Sequence, residues 1–113
     1  MAVDGAPQEL TPARVAELMQ GGAQIIDVRE PGEREAGRIP GDSTHIELDK
    51  LASEADSIDR ERTVVFYCRS GSRSALAAQA FATAGFDAHN LSGGLKAWVA
   101  EGHPLEPAGG RVA

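Results

Sequence analysis

The chain has a single cysteine, Cys68, in 113 residues. One thiol cannot form an internal disulfide, complete a multi-thiolate zinc or iron–sulfur site, or act as its own resolving partner, which fits a reducing compartment. No run approaches the ~18 consecutive apolar residues of a membrane span, so no membrane association is expected. Residues 1–10 lack the basic region and apolar core of a secretory signal, and the expected location is cytoplasmic. There is no basic surplus either. Lys and Arg number 11 against 17 Asp and Glu, a formal charge of -6, which argues against nucleic acid or an acidic membrane as partner and makes any basic region local. His45, His89 and His103 stand far apart without metal-ligand spacing and read as surface or loop residues, so no metal and no cofactor are expected. Internal repeats are absent, and 42% hydrophobic content suits one compact domain with one core and one site.

What is present is an alternation of helix and strand signals. Thr11-Pro12, then Val15, Leu18 and Met19, then Gly21-Gly22 read as a helix with a threonine N-cap, proline in its first turn and glycine past its end. Residues 23–28 are a β-branched run of the kind buried in a parallel sheet, followed by a charged segment with a short helical turn. Gly37 to Gly41 mark a turn, 44–47 a short strand, and 48–58 a helix by the spacing of Leu48, Leu51, Ala52 and Ala55. Residues 63–67 form a second strand, 74–84 an alanine-rich helix ended by Gly85, 87–91 a third strand, and 95–101 a last helix. This pattern predicts an α/β domain with a mostly parallel central sheet and helices on both faces, its ligands beyond the carboxyl ends of the strands. Residues 1–8 read as an N-terminal extension, 9–105 as the domain and 106–113 as a flexible, frayed tail.

Cys68 ends the run Thr63-Val64-Val65-Phe66-Tyr67 and opens the loop Arg69-Ser70-Gly71-Ser72-Arg73-Ser74. A lone cysteine is more often a small buried hydrophobe than a catalyst. Here, a strand feeding a tight loop into a helix gathers free N–H groups and the positive end of the helix dipole at one point, and two arginines add charge. Such a point favours a thiolate, the reactive form of a thiol.

With these motifs on the page, the chain resembles the rhodanese-homology family, specifically its single-domain thiosulfate sulfurtransferases. Ile26-Asp27-Val28-Arg29-Glu30 resembles the first signature, Gly37-Arg38-Ile39-Pro40-Gly41 the second, Tyr67 to Ser74 the active-site loop, and Leu91-Ser92-Gly93-Gly94-Leu95-Lys96-Ala97-Trp98 the closing motif. The four run in order across about seventy residues. Arg38 and Asp42 depart from the histidine and small apolar residue usual in the second signature, with consequences expected at the rim of the site or in a protein contact. The resemblance also separates two branches by loop length. Cys68 and Arg73 give Cys-x4-Arg, the sulfur-transferring form, whereas the phosphatase and arsenate-reductase branch has the longer Cys-x5-Arg.

The resemblance implies a thiosulfate sulfurtransferase, in which the Cys68 thiolate takes a sulfane sulfur from thiosulfate or a similar small anionic donor. The resulting persulfide is discharged to a thiol, cyanide or protein acceptor. Arg69 and Arg73 are expected to hold donor oxygens, Gly71 to let the amides turn inward, and Ser70 and Ser72 to line the cradle. Ser74 reads equally well as a helix cap. Asp27 and Arg29 are expected to support the site structurally, with Asp27 accepting hydrogen bonds that fix nearby loops, and Trp98 to anchor the core. Glu30, Glu33, Arg34 and Glu35 read as a solvated face, or an acidic rim able to select a basic partner. The alternative reading is a non-enzymatic, partner-loaded sulfur-carrier or regulatory module. The expected assembly is a monomer or weak dimer.

Overall fold

The computed structural model describes residues 6–41 and 43–113, so Asp42 and most of the N-terminal extension lie outside the described residues. In chain order the elements are β1 (Glu9–Leu10), α1 (Pro12–Gln20), β2 (Gln24–Asp27), α2 (Pro31–Ala36), β3 (Thr44–His45), β4 (Val64–Tyr67), α3 (Ser72–Thr83), β5 (Ala88–Leu91) and α4 (Gly94–Ala100). The five strands form one sheet in the order β1-β5-β4-β2-β3, and every pairing is parallel. From β2 the chain moves outward to β3 and returns on the other side of β2 as β4. The strand order therefore reverses between β2 and β4, and a crevice opens outside their carboxyl ends.

The apolar runs alternate between two cores. Ile26, Val64 and Phe66 face α3, packing with Ala77, Ala78 and Phe81. Ile25, Val65 and Tyr67 face the other way, onto Val15 of α1 and Leu95 and Trp98 of α4. A strand covered on both faces has no polar side to display, which is why 64–67 reads as a continuous hydrophobic run. The alanines of α3 let that helix sit close to β4 and β5, and Phe81 fills the remaining space between Phe66 and Phe86, with ring centroids at 5.1 and 4.9 Å. Helix α1 starts as its sequence predicts, with Thr11 Oγ accepting the Arg14 N–H at 3.1 Å. Trp98 is buried and donates its indole N–H to the Pro104 carbonyl at 2.8 Å, while His103 stacks on its ring.

Three expectations need correcting. The helix expected over 48–58 is instead two single 3₁₀ turns, Leu48–Lys50 and Ala55–Ser57. Ser53 and Ser57 turn their hydroxyls back onto the carbonyls of Lys50 and Glu54, a local bonding that competes with α-helix propagation. The tail 106–113, expected to fray, lies against the domain. Arg38 and Glu106 exchange backbone hydrogen bonds at 2.9 and 2.8 Å, the Arg111 N–H donates to Ala36 at 2.8 Å, and Val112 packs on the second core. The tail passes so close to Gly37 that a Cβ there would meet the Arg111 carbonyl oxygen at 2.3 Å. Arg38, one of the two departures, thus engages the tail, with its side chain 3.7 Å from the Glu106 carboxylate. Finally, His45 and His89, read as surface or loop residues, are half-buried in the strands β3 and β5, and bond to the Arg29 carbonyl and the Asp87 carboxylate.

Candidate active site

Cys68 follows β4 directly, and Asp27 and Arg29 mark the end of β2, so the crevice at the strand reversal receives both. The loop after Cys68 turns at Gly71, whose φ of 103° lies in the left-handed region that side chains other than glycine rarely adopt. This turn aims the Gly71 N–H at the Cys68 Sγ, 3.1 Å away. Ser74 does not cap α3, since Gly71 holds the N-cap position; its buried hydroxyl donates to the same sulfur at 3.3 Å.

The sulfur is wholly covered. Burial pushes the thiol up, but the Ser74 hydroxyl and the backbone N–H groups of Ser74, Gly71 and Ser70 outweigh it, and the thiol lies below its ordinary value. Arg73 adds a charge that attracts the thiolate. The arrangement favours a sulfur anion inside a small ring of donors.

The closing motif explains why the loop's N–H groups face inward. The first amides of α4, Leu95 and Lys96, donate to the carbonyls of Cys68 and Arg69 at 2.9 and 3.0 Å, turning those oxygens away from the sulfur. Asn90 of β5 does the same for the Gly71 carbonyl at 3.1 Å and also donates to the Glu9 carboxylate. Gly94 permits this contact: a Cβ there would meet the Arg69 carbonyl at 2.6 Å and the Cys68 oxygen at 2.7 Å, all backbone atoms that cannot swing aside. Gly94→Ala is therefore expected to cost about 1–3 kcal/mol of stability and at least tenfold in activity, as overpacking displaces the loop. Urea unfolding and single-turnover kinetics check the two effects.

At the end of β2 lies a buried ionic knot. Arg29, fully covered, donates Nε and Nη2 to the two carboxylate oxygens of Asp27, each at 2.8 Å, and Nη2 also reaches the Gly37 carbonyl at 2.7 Å. Asp27 further accepts the Arg29 backbone N–H at 3.0 Å and Arg34 Nη1 at 3.3 Å. Asp27 thus ties the end of β2 to α2, and Arg29 reaches the turn at Gly37. The neighbouring Tyr67, pushed up to about 12 by burial and by Asp27, keeps its hydroxyl neutral and accepts the Ile39 N–H at 3.2 Å.

The remaining expected residues divide. Ser70, on the loop, and Ser72, at the start of α3, are exposed. Arg69 is exposed too, but its Nε donates to the Ala113 carbonyl at 3.1 Å. Arg73 pairs with Glu33 through both terminal nitrogens, at 2.9 and 2.8 Å. The segment read as a solvated face is therefore split: Glu30 and Glu35 are exposed, whereas Glu33 and Arg34 turn inward onto Arg73 and Asp27. The Arg73 hydrogen bonds, chief among several causes, hold the Glu33 carboxyl down to about 2. The sequence placed Glu33 on a solvated face or acidic rim and Gly94 in the closing motif without giving either its role here, and it gave Asn90 no role. Asn90 offered a signal as a polar side chain inside a run that otherwise reads as buried strand.

The chain is 35% identical over 92 residues to the thiosulfate sulfurtransferase GlpE of Pseudomonas aeruginosa, covering 80% of this chain and 83% of that protein. It is 35% identical over 82 residues to a sulfurtransferase of Allochromatium vinosum, covering 72% and 76%. Among solved structures, the rhodanese-related protein of Thermoplasma volcanium superposes with a TM-score of 0.81 at 28% identity, covering 87% of this chain and 96% of that one. The Rhodanese-like domain profile matches residues 11–101, a span that runs from the cap of α1 through the clamp formed by α4, and the chain belongs to that family.

Proposed function

We propose that the chain is a sulfurtransferase that carries a sulfane sulfur on Cys68. The thiolate attacks the outer sulfur of a donor such as thiosulfate; a new sulfur–sulfur bond forms and the old one breaks, its electron pair leaving on sulfite. The persulfide is then attacked at its outer sulfur by a thiol, cyanide or protein acceptor, which regenerates the Cys68 thiolate. No proton-shuttling base is required, because both the nucleophile and the leaving group are anions. The observation that carries this reading is the ring of donors converging on one sulfur, made by Gly71 N–H and the Ser74 hydroxyl. The same ring would hold the extra negative sulfur of the persulfide. Relatives named as sulfurtransferases support the reaction class. Because Sγ is covered, loading requires a small opening of the loop. Asp27 and Arg29 brace the end of β2, α2 and the turn at Gly37 and take no part in bond making.

Intact mass after incubation with thiosulfate tests the reading. A gain of one sulfur atom, reversed by cyanide with release of thiocyanate, is expected. An unchanged mass at high thiosulfate would overturn it. Should thiosulfate turn over slowly while a persulfidated protein exchanges its sulfur fast, the partner-loaded carrier module would replace the enzyme as the better description.

A further inference from the structure

Glu33 sits at the third position of α2, where its Oε1 accepts the Glu30 N–H at 3.0 Å in a capping box. The helix start thus fixes a carboxylate whose two oxygens occupy both terminal nitrogens of Arg73. Arg73 also lines a groove of about 450 Å³ with Val28 and Leu48 as apolar lining and Glu30, Glu47 and Asp49 as its acidic groups. Among the described residues, these three have one ion-pair partner, Lys50, 3.6 Å from Glu47. Arg69, the other cation of the loop, is turned to the Ala113 carbonyl. Both arginines that a dianionic donor would need therefore already have oxygen partners, and Arg73, whose charge is felt at Cys68, faces a groove with more acidic groups than basic ones.

We propose that Glu33 is a positioning residue that sets the charge of the donor: by holding Arg73, it directs the site toward monoanionic sulfane-sulfur donors, such as thiosulfonates, over dianionic thiosulfate. The inference rests on the persulfide reading above and narrows its donor class. Thiosulfate meeting the thiolate gathers three negative charges at the mouth, whereas a thiosulfonate gathers two. One unit charge at contact distance in a partly solvated mouth changes a rate by about tenfold. The chemistry is the same for both donors. The Cys68 sulfur bonds the outer sulfur of the thiosulfonate, the bond from that sulfur to the sulfonyl sulfur breaks, and its electron pair leaves on the sulfinate.

The experiment measures kcat/KM for methanethiosulfonate and for thiosulfate at low ionic strength with cyanide as acceptor, each normalised to the reactivity of a free small thiolate. The normalised ratio is expected to favour methanethiosulfonate by about tenfold and to shrink with added salt. In Glu33→Gln, which keeps the capping acceptor, the ratio is expected to fall about fivefold to tenfold as Arg73 becomes available to the extra donor charge. Glu47→Gln should move it in the same direction by less. Damage to the fold would lower both donors together and leave the ratio unmoved. A parent protein that favours thiosulfate, or an unchanged ratio in Glu33→Gln, overturns the proposal while leaving the persulfide reading intact. Failure of both donors to add a sulfur to Cys68 overturns the two together.

Discussion

Cys68→Ser is expected to lose sulfur transfer by at least about 10⁴-fold while its thermal midpoint stays within a few degrees of the parent. The substitution changes one atom at a covered position where Gly71 N–H and the Ser74 hydroxyl find an oxygen as readily as a sulfur, so the fold keeps its contacts. The chemistry does not survive. A serine hydroxyl remains protonated in surroundings that suffice to ionise a thiol, and an oxygen cannot form the disulfide-like bond that stores the transferred sulfur. Thiocyanate release from thiosulfate and cyanide, measured beside a thermal melt of the same sample, separates the two effects. Residual activity above a hundredth of the parent would remove Cys68 from the chemistry.

Asp27→Asn is expected to lower stability by about 3–5 kcal/mol, or on the order of 10–20 °C in Tm. Asn preserves volume but takes away the charge that Arg29 meets through two 2.8 Å bonds with no solvent access for either side chain. Arg29 Nη1 has no hydrogen-bond partner among the described residues, and the neutral Gly37 carbonyl on Nη2 does not replace the lost charge. Removing one member of a buried pair leaves the other charged and uncompensated, which costs more than the pair contributes when intact. The loss should fall on folding first. Enough urea-free protein at low temperature should still show persulfide formation, because Asp27 bonds to Arg29 and Arg34 and not to the sulfur. A melt unchanged from the parent would contradict the role given to the knot.

The parts of this architecture that were legible in the sequence are those written in one stretch of chain. The β-branched runs that become β2 and β4, the threonine cap of α1 and the glycine at the turn after Cys68 each carry their structural reason locally. Strand β1 was not legible, because two residues carry no periodicity and Glu9–Leu10 is a strand only through its pairing with β5. The tail was misread for the same reason: its glycines and proline look like an unstructured end, and its partners, Ala36, Arg38 and Arg69, all lie far from it in sequence.

At the site, the nucleophile and its glycine could be read from composition and order, but the fate of the charges could not. Arg73 and Glu33 are far apart in sequence, and nothing near either residue announces the ion pair that ties the loop to α2. The closing motif was visible as a pattern without a purpose. Its purpose is long-range: α4 turns the carbonyls of residues 68 and 69 away from the sulfur, and Gly94 exists to let it come that close.

The account depends on the ring of inward donors keeping the Cys68 sulfur ionised despite its burial. The most direct test is the rate of Cys68 alkylation by iodoacetamide across pH, in the parent and in Ser74→Ala. Because the thiol is held below its ordinary value, the rate should rise through a midpoint below that of a free cysteine, ~8.5. Removing the Ser74 hydroxyl should move that midpoint upward. A parent midpoint at or above ~8.5 would contradict the claim, because burial would then have outweighed the donors.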